Sequence, residues 1–157
     1  LIMFRFHRIN PLSNRVPKFQ QRSFSSVLHT PKLYVWGRGD HGQLGLGNKL
    51  TLCSEPHLLD LSFIKKNDSL KQIVCGMNHT IMTTNCGDLF SFGVGEHGEL
   101  GLGDHNNRFI PQKIEDLQNK SPIFVACGGH HTLCVTESSA VGVQVFSWGK
   151  NSCGTAR

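Results

Sequence analysis

Leu33-Tyr-Val-Trp-Gly-Arg-Gly-Asp-His-Gly-Gln-Leu-Gly-Leu-Gly47 decides the fold, because the chain writes it again as Leu89-Phe-Ser-Phe-Gly-Val-Gly-Glu-His-Gly-Glu-Leu-Gly-Leu-Gly103. It opens a third time at Val145-Phe-Ser-Trp-Gly149. Gly37 to Gly93 is 56 residues, and Gly93 to Gly149 is 56 again. Such a period in a glycine-punctuated, strand-like sequence indicates stacked or radially arranged units, none able to bury its apolar face alone.

The repeats divide the chain into residues 33–88, residues 89–144 and a truncated third unit, 145–157. Apolar runs between turn residues predict strands at Leu33–Trp36, His57–Leu61, Leu70–Cys75 and Thr80–Thr84, with little sign of helix. The second unit repeats the plan at Leu89–Phe92, Gln112–Ile114, Ile123–Cys127 and Thr132–Thr136. Asn85-Cys-Gly-Asp88 has turn chemistry and joins Thr80–Thr84 to Leu89–Phe92. Cys75-Gly-Met-Asn-His-Thr80 aligns with Cys127-Gly-Gly-His-His-Thr132 at an offset of 52, and a longer return turn, Glu137–Gly142, restores the register. Length changes of this kind belong in loops. About four short strands per unit suits a propeller blade. The expected fold is therefore all-β: a partial β-propeller of two four-stranded blades and the first strand of a third. Leu44, Leu46, Leu100 and Leu102, set between the loop glycines, are the expected core plugs.

Charge is unevenly spread. All eleven acidic residues follow position 30, the first being Asp40, whereas residues 1–30 carry Arg5, Arg8, Arg15, Lys18 and Arg22. The repeat region is then formally neutral, with eleven basic residues against eleven acidic ones. The net charge of +5 belongs to the leader, so it does not support RNA or other nucleic acid as a partner of the folded part. An acid-free leader rich in Arg and Ser has the composition of a mitochondrial transit peptide, and Arg22-Ser-Phe-Ser25 resembles a matrix-processing site cut after Phe24. Arg5 and Arg8 interrupt the apolar stretch that a secretory signal needs. Nuclear and cytoplasmic locations are the alternatives to the mitochondrion. Leu1 stands first, and Met3 is a plausible initiator.

The six cysteines form no Cys-x-x-Cys pair, and Cys75 and Cys127 occupy one repeat position, as expected of small buried strand residues. No apolar run is long enough for a membrane span. Gly37-Arg-Gly-Asp-His-Gly42 and Gly93-Val-Gly-Glu-His-Gly98 match G-x-G-x-x-G, but a dinucleotide site needs a helix to follow, and Gln-Leu-Gly-Leu-Gly does not start one. His41 and His97, like His79 and His131, are repeat-equivalent; with Asp40 and Glu96 they suggest metal, yet no unit assembles three or four ligands by itself. Their expected role is a buried or half-buried imidazole hydrogen-bonded to backbone and bracing the glycine-rich loop. Trp36, Phe92 and Trp148 end the first strand of each unit and are expected in the core. No nucleophile–base constellation is visible. The expectation is no catalytic residue, no cofactor and no metal.

Trp/Phe-Gly-x-Gly-Asp/Glu-His-Gly-x-Leu-Gly-Leu-Gly followed by Cys-Gly-x-x-His-Thr resembles the regulator of chromosome condensation repeat family, over residues 33–149. The resemblance implies a seven-bladed propeller, of which this sequence is a fragment. It also implies that Trp148-Gly-Lys-Asn-Ser-Cys-Gly154 should continue with Gln-Leu-Gly, where Thr155-Ala-Arg157 stands instead. The plant ultraviolet photoreceptors of this family carry Trp and Arg where this chain has Met77-Asn78 and Gly129-His130. The function expected is a non-enzymatic scaffold binding protein partners, in organellar assembly or RNA-related processes. The alternative is guanine-nucleotide exchange on a small GTPase, the activity of the founding family member; the wedge insertion tied to it is not seen in residues 33–149.

Overall fold

Nine strands carry the chain in the computed structural model, which describes residues 32–47, 52–138 and 140–151. The leader 1–30 lies outside the described residues. The strands are β1 (Leu33–Arg38), β2 (Leu52–Leu59), β3 (Leu70–Cys75), β4 (His79–Thr84), β5 (Leu89–Gly93), β6 (Arg108–Lys113), β7 (Pro122–Cys127), β8 (His131–Ser138) and β9 (Gly142–Gly149). A 3-10 turn, Glu115–Leu117, follows β6 and buries Leu117.

All pairing is antiparallel, in the orders β1-β2, β3-β4-β5-β6 and β7-β8-β9. The expected nine strands are present, but they group as two, four and three rather than four, four and one. Sheets are offset from sequence repeats by half a unit. The cause is the connection: Asn85-Cys-Gly-Asp88 is a tight hairpin turn, with Thr84 N–H donating to the Asp88 carbonyl at 3.0 Å, so β4 pairs with β5 across the repeat boundary. The longer segment 60–69 instead carries the chain from one sheet to the next.

Several strand ends differ from expectation for local reasons. β2 and β6 begin earlier than their hydrophobicity suggests and run through Pro56 and Pro111. Both are edge strands, the setting in which proline is tolerated. β2 stops at Leu59 because the Asp60 carboxylate accepts the Ser62 N–H at 2.8 Å and turns the chain. Glu137 and Ser138, expected in a turn, extend β8 and pair with Val143 and Gly142.

The middle sheet is covered on both faces, so every residue of β4 and β5 is buried. Met82, Phe90 and Phe92 face the first sheet and pack with Leu33, Val35, Leu44 and Leu59. Ile81 and Leu89 face the third and pack with Val125, Cys134, Ile114 and Leu117. The alternation is the period-2 pattern of a strand. Each such side chain, fully buried, contributes about 1.5–3 kcal/mol. Leu44 and Leu100 are the buried plugs expected of them, whereas Leu46 and Leu102 are only half-buried against the two clusters.

Candidate functional site

The glycine-rich loop that follows the first strand of each repeat does not stay on its own sheet. It reaches the neighbouring one. Thr80 on β4 donates its hydroxyl to the Gln43 carbonyl at 3.0 Å, joining loop 37–47 to the middle sheet. Thr132 on β8 donates to the Glu99 carbonyl at 3.0 Å, joining loop 93–103 to the third sheet, and the Trp148 indole N–H reaches the same oxygen at 2.9 Å. Gly45 lies against the Phe92 ring and Gly101 against the Trp148 ring. The equivalent residues make equivalent joints at both seams.

His79 completes the second seam. Its Nε2 is 3.1 Å from Thr132 Oγ1. The Thr132 hydroxyl proton is already directed at a carbonyl, which only accepts, so His79 donates from Nε2 and is the Nε2–H tautomer. Burial pushes its pKa down to about 4, opposed by the Glu99 carboxylate and reinforced by the His130 and His131 imidazoles, so the ring is neutral near pH 7. The imidazole fits because residue 76 is glycine: a Cβ there would overlap the His79 ring and sit 2.7 Å from the Gly128 carbonyl oxygen. Gly128 makes the same room for His131.

The histidines expected to act alike therefore divide. His79 is buried and bonded to a side-chain hydroxyl rather than backbone, His131 and His41 are half-buried, and His97 is exposed. Phe92 is buried; Trp36 and Trp148 are half-buried. Asp40 is held below the usual carboxylate range by its hydrogen bond from Arg38 at the surface. Glu96 is exposed.

Residue types alone gave little reason to single out Gln43 and Glu99. Each is buried in its loop and accepts a backbone N–H two residues back, His41 N–H to Gln43 at 2.9 Å and His97 N–H to Glu99 at 2.7 Å. The second Gln43 group, its amide nitrogen, reaches Asp40 at 3.3 Å. The second Glu99 oxygen has no hydrogen-bond partner among the described residues and lies 3.7 Å from His130 Nδ1. The His97 and His130 rings meet edge to face at 5.3 Å between centroids. A neutral amide at the first seam is thus a carboxyl beside two imidazoles at the second. Gln72 was also missed: its side-chain amide accepts the Val125 N–H at 3.3 Å and donates to the Val125 carbonyl at 2.9 Å, stitching β3 to β7.

The chemistry of this constellation is architectural. Neither G-x-G-x-x-G stretch is followed by a helix, and both loops lie against a neighbouring sheet. Among the described residues no group of three or more His, Cys, Asp and Glu side chains is placed to hold a metal ion. Burial raises the Cys75 and Cys134 thiols to about 11 and the Cys127 thiol to about 12. Thiols held there are protonated at neutral pH and poor nucleophiles.

Successive antiparallel sheets, each receiving the loop of the one before, define a β-propeller segment. The family model for the regulator of chromosome condensation (RCC1) repeat matches residues 32–82 and 86–135, and the chain belongs to that family. Over 125 residues, 78% of the chain, it is 34% identical to the human E3 ubiquitin-protein ligase HERC2 and spans 2% of it. It is 40% identical over 109 residues to the mouse X-linked retinitis pigmentosa GTPase regulator, covering 68% of the chain and 11% of that protein. With the Arabidopsis thaliana ultraviolet-B receptor UVR8 it shares 34% identity over 115 residues, 73% of the chain and 25% of the receptor. The crystal structure of human WBSCR16 superposes with a TM-score of 0.64 at 25% identity, over 76% of this chain and 29% of that one. Prp20p of Saccharomyces cerevisiae, which binds Gsp1p and histones, superposes with a TM-score of 0.61 at 26% identity, again over 76% of this chain and 29% of that one. The chain spans a small part of each of these proteins. No helix among the described residues is long and apolar enough to cross a membrane.

Proposed function

We propose that this chain is part of a non-enzymatic β-propeller that binds protein partners in mitochondria, serving organellar assembly or RNA-related processes. The observation that carries the reading is the use to which the polar repeat residues are put. Thr80, Thr132, Gln43, Glu99 and His79 are spent on joining loops to sheets rather than converging on a reacting centre. Such a frame offers loops and edges as contact surface, the setting in which propeller repeats bind. The acid-free leader supports the mitochondrial location. Residues 1–30 fused to a soluble reporter should carry it into mitochondria and be cut after Phe24; a reporter left in the cytosol or nucleus contradicts that.

A second reading, guanine-nucleotide exchange on a small GTPase, is favoured by the similarity to the X-linked retinitis pigmentosa GTPase regulator and to Prp20p, which binds Gsp1p. The two are separated by release of a fluorescent guanine nucleotide from small GTPases mixed with the chain. The scaffold reading predicts release at the unassisted rate. Acceleration that depends on the chain's concentration overturns it in favour of exchange.

A further inference from the structure

Gln118, Asn119, Lys120 and Ser121 form an exposed run between the buried Leu117 and the buried Pro122. Two of them hold left-handed backbone: Asn119 has φ +66° and Ser121 φ +50°, and every other residue of positive φ among the described ones is glycine. Asparagine visits that conformation readily, but in serine it brings Cβ against the following carbonyl oxygen. Ser121 is strained for a second reason, since a residue that precedes proline is driven toward extended backbone.

The flanking anchors keep it there. Leu117 packs with Ile81, Leu89 and Val125. On the other side, a Cβ on Gly87 would come within 3.3 Å of Pro122 Cδ, so the proline sits tight against the turn at Asn85–Asp88. The Ser121 carbonyl accepts the Glu137 N–H at 3.2 Å, and the Pro122 carbonyl accepts from Lys71 Nζ at 3.2 Å. Between the anchors the bonds are few: Gln118 and Lys120 donate to the Glu115 and Leu117 carbonyls at 2.9 and 3.2 Å, and Pro122 has no N–H to give. Relaxing Ser121 into extended backbone therefore releases strain and breaks little.

We propose that Ser121 is a phosphorylation site for a proline-directed serine/threonine kinase. Such an enzyme takes an exposed hydroxyl followed by proline, presented on an extended segment. Among the described residues Ser121 is the one serine or threonine that precedes a proline. Its hydroxyl oxygen bonds to the γ-phosphorus of a nucleoside triphosphate as the bond to the bridging oxygen breaks. The nucleoside diphosphate leaves, and the hydroxyl proton passes to the kinase's base. The phosphoserine carries about −1.5 to −2 charges at pH 7. Lys120 adjoins it in sequence, and Lys71, already bonded to the next residue's carbonyl, brings a second ammonium from β3. Glu137, exposed on β8, is the acidic neighbour, so the phosphate turns to the lysines. Held by Lys71, it adds a charge-assisted link between β3 and β7, across the seam that Gln72 also stitches.

The test uses the full chain with Thr30→Ala, because Thr30-Pro31 repeats the dipeptide in the leader. Incubated folded with a mitogen-activated protein kinase and γ-labelled ATP, it should take label on the peptide that holds Ser121. Ser121→Ala and Pro122→Ala should each lose that label. A folded chain unlabelled at Ser121, or labelled there only after heat unfolding, overturns the site. Label on Ser121 that survives Pro122→Ala overturns recognition through the proline. Phosphorus NMR reads the seat: Lys71→Gln should move the phosphoserine titration to higher pH, because the ammonium favours the doubly charged form. A titration unmoved by that change overturns the part given to Lys71.

Discussion

Gly76→Ala tests the seam chemistry most sharply. Unlike many loop glycines, Gly76 has no positive φ, so its requirement is space alone. The added methyl overlaps the His79 imidazole, which is 1% exposed, and the Gly128 carbonyl at 2.7 Å closes the other way out. Overpacking of this kind costs about 1–3 kcal/mol. Displacing the ring also removes its hydrogen bond to Thr132, worth about 0.5–1.5 kcal/mol. Together they amount to about 2–4 kcal/mol, or roughly a 30- to 1,000-fold rise in opening at the seam. Gly98→Ala is the comparison. Its φ is +79°, and the new methyl would meet only His105 at 3.8 Å. Left-handed backbone alone costs about 1 kcal/mol, roughly fivefold. Amide hydrogen exchange in β4 and β8 reads both variants. Seam opening raised equally by the two, or more by Gly98→Ala, refutes the claim that the Cys-Gly motif exists to seat the histidine.

Acid should loosen the same seam. Because the folded His79 pKa is about 4 against an ordinary 6.5, the unfolded state binds the extra proton between those values; the stabilisation is complete above 6.5 and lost as pH falls toward 4, by on the order of 3 kcal/mol. Exchange in β8 corrected for intrinsic rates should show this slope, and His79→Asn should lack it. Glu99→Gln should change stability by less than about 0.5 kcal/mol or improve it, since Gln43 fills the equivalent place and one carboxyl oxygen of Glu99 is unpartnered; a loss above about 2 kcal/mol by urea midpoint would show that the charge is needed. Among the cysteines of the described residues, alkylation at pH 8 should reach exposed Cys86 first and Cys75, Cys127 and Cys134 only after denaturation, as peptide mapping would report.

The repeat was legible because its glycines, aromatics and leucines recur at a fixed interval, and that interval sufficed to name nine strands. Their grouping was not, because a repeat in sequence has no marked beginning. The hairpin at Asn85–Asp88 sets the phase, and it lies at what the glycine motif makes look like a boundary. Pro56 and Pro111 concealed the first halves of β2 and β6, since their edge positions are visible only in the sheet order. At the seams the histidines drew attention through their chemistry. Thr80, Thr132, Gln43, Glu99 and Gln72 act through main-chain partners 33 to 53 residues away or through burial, neither of which residue type discloses.

The central claim is that this chain folds as propeller sheets built across its repeat boundaries. Hydrogen exchange of the whole chain, resolved by segment, tests it most directly. Slowest exchange should fall within β3 to β6, above all in β4 and β5, which have partners on both sides and cover on both faces. β1, β2 and the outer side of β9 should exchange faster, in keeping with Val145 at 66% exposure where its equivalent Leu89 is at 1%. A protected block spanning residues 33–84, following the sequence repeat, or no slow amides in β4 and β5, would contradict the account.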